Sequence, residues 1–183
     1  MSGKKEIFVS VDVETSGPIP GEYSLLSIGA CDINDDSRSF SIELKPITDN
    51  ADPAALEVSG LSLDVLAERG TEPTVAMQTF GKWVQALAEE DAELVFVGFN
   101  APFDWSFVNY YFHRFTGSNP FGFTALDIKA LYMGATGSSW SDTRSSQIAE
   151  RLSPTRHGNH DALQDAKYQA ELFRLVRALA SAG

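Results

Sequence analysis

The stretch "SVDVETSG" (residues 10–17) decides the reading of this chain. It closes an apolar, β-branched run, "IFVSVDV", with two carboxylates, Asp12 and Glu14, placed two residues apart. Alternate side chains of a strand share a face, so both acids point the same way, a few ångströms from each other. Like charges that close repel. A solvated strand end running into a turn at Gly17-Pro18 accounts for the pair, and so does a cation shared between them. The choice depends on what the rest of the chain brings to the same place.

The bulk composition narrows the field. A chain of 183 residues with 43% hydrophobic and 11% aromatic content is most simply one domain with a sizeable core. No apolar run approaches the roughly 20 residues that cross a bilayer, and no membrane partner is expected. The N-terminal apolar run is broken early by Asp12 and Glu14, against a secretory signal. Cys31 is the single cysteine, so an intrachain disulfide is excluded, and it reads as a small core residue. These features point to a cytoplasmic protein. A net charge of −11 opposes non-specific coating of a phosphate backbone, but not an enzyme that grips a few nucleotides through metal ions. Arg144, Arg151, Arg156 and His157 gather in one stretch, as a local basic patch or as ordinary solvated surface.

Periodicity and turn chemistry predict an α/β sandwich with a mixed sheet flanked by helices. Residues 6–14, 23–33 and 37–46 read as strands, the last two joined through the turn-forming cluster Asn34-Asp35-Asp36-Ser37. Short helical pieces follow, with Pro53 near a first turn and Ser62 as a cap. Val75, Phe80, Val84 and Leu87 mark a helix ending before Asp91. Residues 92–100 read as a strand buried on both faces. "APFDWSFVNYYFHRF" reads as an aromatic helix in which Trp105 belongs to the core and His113 to the surface or core edge, and Trp83 also reads as core. "FGFTALDIKALYMG" passes from a short strand into a helix stopping near Gly134. "ATGSSWSDTRSS" reads as loop, with Trp140 anchoring it or stacking on a ligand, and "SQIAERL" as a short helix. The final helix begins after Asp161, a credible N-cap, and carries Leu163, Ala166, Ala170, Phe173 and Val176/Arg177 at turn spacing.

Three element ends carry acids: Asp12 and Glu14 after the first strand, Asp104 in the first turn of the aromatic helix, and Asp165 at the start of the last helix. Taken singly, Asp104 is also explained as a partner of free helix N–H groups, with Asn100 as a cap, and Asp165 as a solvated first-turn acid. His113 and His157 have no evident catalytic partner. In open α/β sheets, site residues gather at strand ends. Four carboxylates meeting there would repel by several kcal/mol in a low-dielectric site unless cations neutralise them. An all-oxygen donor set selects Mg²⁺ or Mn²⁺. Two such ions about 3.5–4 Å apart activate a water and stabilise the leaving oxygen of a phosphodiester. A nearby histidine is a natural general base.

At this point the chain resembles the DnaQ-like 3′–5′ exonucleases of the DEDDh type, with an RNase H-like fold. "DVETSG" matches the family's D-x-E-[TS]-x-G, "NAPFD" its N-x-x-[FY]-D, and "HDALQDA" its H-x-x-x-x-D, in the family's order across most of the chain. The resemblance implies one exonuclease domain over residues 1–183. It implies that Asp12, Glu14, Asp104 and Asp165 hold two Mg²⁺ or Mn²⁺ ions while His160 deprotonates the attacking water. The products would be nucleoside 5′-monophosphates released from single-stranded DNA or RNA. The backbone at Thr15 would meet the terminal 3′-OH, Asn100 would lie in the substrate site, and Leu61 and Phe103 would sandwich the last base, although Phe103 also suits plain core packing. Phe99 stands where a histidine is common in relatives, and Asp161 where a basic residue is frequent. The implied partner is a single-stranded 3′ end, with a polymerase or another protein delivering it. Oligomeric state stays open. So do a proofreading subunit active only with a polymerase, and a non-catalytic RNase H-like module that binds nucleic acid or protein.

Overall fold

The computed structural model describes residues 4–88 and 92–181. Strand β1 (Glu6–Thr15) runs antiparallel to β2 (Leu25–Asp32), which runs antiparallel to β3 (Ser39–Glu43). Helices α1 (Pro53–Ser59), α2 (Leu63–Arg69) and α3 (Pro73–Leu87) lead to β4 (Glu93–Gly98), parallel to β1. Helix α4 (Pro102–Thr116) returns to β5 (Ala125–Asp127), parallel to β4, and α5 (Ile128–Thr136), α6 (Ser145–Leu152) and α7 (Ala162–Ser181) complete the chain. The five-stranded sheet has the order β3-β2-β1-β4-β5, with β1 at its centre. No helix among the described residues is long and apolar enough to cross a membrane.

The period-2 pattern of β1 splits the molecule into two cores. Ile7, Val9, Val11 and Val13 face the layer of α3 and α4, packed with Phe80, Phe107 and Tyr111. Phe8 faces the other layer with Val97, Ile128, Leu172 and Phe173. Asp12 and Glu14 continue the alternation begun by Phe8, which aims them at the α7 side. Gly29 pairs with Asp12 across β1 and β2, and it decides how close α7 comes. A Cβ on Gly29 would lie 2.1 Å from the carbonyl of Ala162 and 2.2 Å from the nitrogen of Leu163. The missing side chain therefore lets the first turn of α7 lie against the sheet beside Asp12.

Several expectations are corrected by packing. Val75 is 52% exposed, whereas Ala76, Met77, Phe80, Val84 and Leu87 form the buried face of α3. Val75 precedes Phe80 by five residues, about 140° away around a helix with 3.6 residues per turn. The expected end of that helix at Glu89-Glu90 lies outside the described residues. Strand β4 is fully buried only from Phe96 to Gly98, since β5 covers just those residues along its outer edge. The 135–146 stretch contains a 3₁₀ turn at Trp140–Thr143, closed by a reciprocal capping box between Ser139 and Asp142. Trp140 is 53% exposed and lies 4.4 Å from the Lys129 ammonium, so it neither plugs the core nor leaves its ring face bare. Trp83 and Trp105 pack half-buried against the first core, and Cys31 is buried in the second.

Candidate active site

The end of β1 is built to present side chains. Its pairing with β2 slips between Glu14 and Thr15, a bulge of the kind that re-aims residues next to sites. Its pairing with β4 stops at Ser10 and Val97. Past that point the two strands part, and side chains replace the backbone ladder. Asp104, only 5% exposed in the first turn of α4, accepts the Val13 N–H at 3.0 Å. Gln169 of α7 accepts the Phe99 N–H at 2.9 Å and donates to Asp12. Asp127, which caps α5 through the N–H groups of Lys129 and Ala130, also accepts the Ala101 N–H and so pins the turn before α4.

Asp165 organises the opposite wall. Its two carboxylate oxygens accept the N–H groups of Asn159 (2.8 Å) and His160 (3.1 Å). Asp161 caps α7 as expected, accepting the Gln164 N–H at 2.9 Å. Farther back, Glu171 accepts the N–H groups of Thr155 and Arg156, and Arg156 pairs with Asp36 on the β2–β3 turn. The approach to His160 is thus held at both ends. His160 itself is exposed and has a left-handed backbone, φ 61°, as does Asn100 at φ 63°. Such conformations are rare for a residue with a Cβ and collect at functional sites, asparagine tolerating them best.

These elements bring Asp12, Glu14, Asp104 and Asp165 into mutual electrostatic range. Burial pushes the Asp12 carboxyl well above its ordinary range, and Asp104, Asp165 and Glu14 add to the rise while the Gln169 amide opposes it. Glu14 is pushed up to about 7 by burial, then by Asp165 and Asp161. Asp104 is pushed up to about 8 by burial, with Glu14 and Asp127 adding to the rise and the Val13 N–H resisting it. Ligand atoms of Glu14, His160 and Asp165 lie within 4.8 Å of one another. A cluster of carboxylate oxygens beside one imidazole, whose acids resist ionisation together, suits a hard divalent cation.

Two concavities flank the acids. One, of about 360 Å³, is lined by Val13, Glu14, Thr15, Ala54, Ala55, Val58 and Phe103. Thr15 lines the groove with its hydroxyl donated to the Gly17 carbonyl, and Phe103 is 37% exposed beside Phe107. Val58 of α1 lines that groove with Phe103, while Leu61 sits half-buried outside that lining. The other, of about 460 Å³, holds Asp12, His160 and Asp165 together with Phe99, His157, Tyr168 and Gln169. His157, read in the sequence only as part of a basic stretch, lines the acidic cleft, and Gln169 escaped the sequence reading. Gln169 lies one helical turn beyond Asp165, a spacing that could have flagged it. Of the basic stretch, Arg156 is taken up by Asp36, and Arg151 reaches the Tyr132 hydroxyl.

A parallel β1–β4 pair widened by antiparallel β2 and β3, with acids at the strand end and on the two helices that close over it, is the architecture of the DEDDh exonucleases. Residues 9–173 match the RNase_T family, described as Exonuclease, and the chain belongs to that family. It is a 3′–5′ exonuclease, and the family works with metal ions. The chain is 59% identical over 179 residues to the 3′–5′ DNA exonuclease Cap18 of Escherichia coli, covering 98% of this chain and 96% of that protein. Its fold is similar to the nuclease domain of 3′hExo, a DEDDh family member solved bound to rAMP, with a TM-score of 0.76 at 13% identity, covering 97% of this chain and 94% of that one. It is also similar to E. coli Exonuclease I in complex with a dT13 oligonucleotide, with a TM-score of 0.70 at 18% identity, covering 94% of this chain and 41% of that one.

Proposed function

We propose that this chain is a single exonuclease domain that trims single-stranded DNA from its 3′ end in the cytoplasm, releasing nucleoside 5′-monophosphates. The observation that carries this reading is the gathering of four mutually repelling carboxylates at the end of β1, each held by backbone or side-chain hydrogen bonds or by burial. Keeping such acids close costs folding energy unless a cation joins them. Asp12, Glu14, Asp104 and Asp165 would hold two Mg²⁺ or Mn²⁺ ions. Such ions, when bound, acidify a water and stabilise the charge on the departing oxygen of a phosphodiester. DNA as the substrate is supported by the relative at 59% identity, which is named a DNA exonuclease.

The chain's own residues do the rest. His160, exposed at the rim with its backbone N–H donated to Asp165, takes the proton of the attacking water. The groove between α1 and Phe103 takes the terminal nucleoside, its base against Phe103 and Val58, with the 3′-OH at the backbone of Glu14 and Thr15. Asn100 sets the tight turn that starts α4, its carbonyl accepting the Phe103 N–H at 3.0 Å, and thereby places both Phe103 and Asp104. The test is product analysis on 5′-labelled single-stranded DNA and RNA of one sequence, with a 3′-phosphate-blocked control, in Mg²⁺, Mn²⁺ or EDTA. A metal-dependent ladder shortening from the free 3′ end, with DNA favoured and nucleoside 5′-monophosphate released, is expected. Nucleoside 3′-monophosphates, or degradation from the 5′ end, would contradict the assignment.

A further inference from the structure

We propose that Gln169 is a positioning residue that sets the orientation of Asp12 for metal binding. This inference rests on the reading of Asp12 as a metal ligand. Gln169 is 5% exposed, on the face of α7 that also carries Asp165 one turn earlier. It sits where β1 and β4 part, and its amide spans the gap between them. The Phe99 N–H, 2.9 Å from the amide oxygen, is a backbone group that can only donate. That contact settles which way the amide points: oxygen to Phe99, nitrogen to Asp12. The Gln169 Nε2 then donates to Asp12 Oδ1 at 2.5 Å.

A structural role needs only half of this arrangement. An acceptor for the Phe99 N–H would complete the strand end, and a glutamate or a hydroxyl at 169 would supply one. The second half turns a donor onto a carboxylate crowded by three others. That donor is neutral. A lysine or arginine in the same place would fix Asp12 equally well but would repel the ions the acids are gathered to hold. An uncharged amide fixes one oxygen of Asp12 and adds no competing charge. Partners of this kind, which touch the ligand and not the metal, typically change metal affinity or activity by about 10–100-fold when removed. Gln169 also ties two ligands to one rigid element, since α7 carries both it and Asp165.

The test is the Gln169→Met variant, which keeps side-chain length and loses both hydrogen bonds. Mn²⁺ binding is measured by calorimetry on the wild type, Gln169→Met and Asp12→Ala, alongside the Mg²⁺ dependence of 3′-end trimming. In Gln169→Met the Mn²⁺ Kd rises by about tenfold or more, and the Mg²⁺ midpoint of the rate moves up by the same factor. KM for the oligonucleotide at saturating Mg²⁺ stays within twofold. A Mn²⁺ Kd within twofold of wild type overturns the inference, whatever happens to melting temperature or rate. Asp12→Ala separates the layers: if it binds Mn²⁺ as the wild type does, the ligand reading itself fails. Should Gln169→Met not fold, Gln169→Glu keeps the acceptor for Phe99 and replaces the neutral donor to Asp12 with a further carboxylate oxygen. Its maximal rate at saturating Mg²⁺ then falls by about tenfold or more, and a wild-type rate at a wild-type midpoint rejects the proposal.

Discussion

The two walls of the acidic cleft are made differently. On the β1–α4 wall, Asp12, Glu14 and Asp104 are carried by the central strand and a helix packed on it, and Asp104 is buried with its carboxylate closing the edge of β1. On the α7 wall, His160 is exposed, left-handed at its backbone, and tied to Asp165 by one hydrogen bond from its backbone N–H. One wall is fixed by the sheet, and the other is assembled by one of the cluster's own acids. The contrast suggests a division of work. Three of the four acids that must stay close despite repulsion are carried by the central strand and the helix packed on it, where the fold's stability holds them. The group that must exchange a proton with water stands at the surface. Because Asp165 serves both walls, anything that moves α7 affects the two together.

Variants can break this contrast at either wall. Asp104→Asn keeps the hydrogen-bond acceptor for Val13 but removes the charge. We expect it to fold and to lose activity by more than the about 10²–10⁴-fold that a general base supplies, measured as the initial rate of mononucleotide release. Activity within tenfold of wild type would show that Asp104 only closes the strand edge. Gly29→Ala acts on the α7 wall without touching an acid. The added Cβ meets the backbone of Ala162 and Leu163, so α7 must shift. A displacement of about 1 Å costs about 10²-fold in rate, and overpacking costs about 1–3 kcal/mol of stability. A wild-type rate in Gly29→Ala would mean that α7 tolerates the shift and that the close approach is incidental.

The smallest expected effect is on stability. The folded state holds the Asp104 and Glu14 carboxyls at about 8 and about 7, whereas unfolded Asp and Glu titrate near about 3.9 and 4.3. Between those values the folded protein binds protons that the unfolded chain has released. Stability then falls as pH rises through the window. In EDTA the melting temperature should be several degrees higher at pH 5.5 than at pH 8, and Mg²⁺ should close the gap by stabilising the ionised acids at pH 8. A metal-free protein equally or more stable at pH 8 would contradict the burial, and the added repulsion, that raise these carboxyls.

Much of this was legible in the sequence because it is local. Alternation in "IFVSVDV" places Asp12 and Glu14 on one face, a proline start places Asp104 in a first turn, and Asp161 announces α7 as its cap. The unread parts depend on contacts between distant segments. Gly29 looks like any small strand residue until α7 lies across it. Gln169 looks like a polar residue on an amphipathic helix until β1 and β4 part in front of it. Val58 shares a groove with Phe103 because α1 packs against β1, which no spacing within "DPAALEVSG" records.

The measurement that tests the division of work most directly is Mn²⁺ calorimetry on His160→Ala beside Asp104→Asn. Ligand atoms of His160, Glu14 and Asp165 lie within 4.8 Å of one another, close enough for the imidazole itself to hold an ion. The account assigns metal to the acids and proton transfer to the histidine. It predicts that His160→Ala binds Mn²⁺ with wild-type affinity and stoichiometry while Asp104→Asn loses at least one ion. Loss of Mn²⁺ binding in His160→Ala would contradict it, making the exposed wall part of the metal centre.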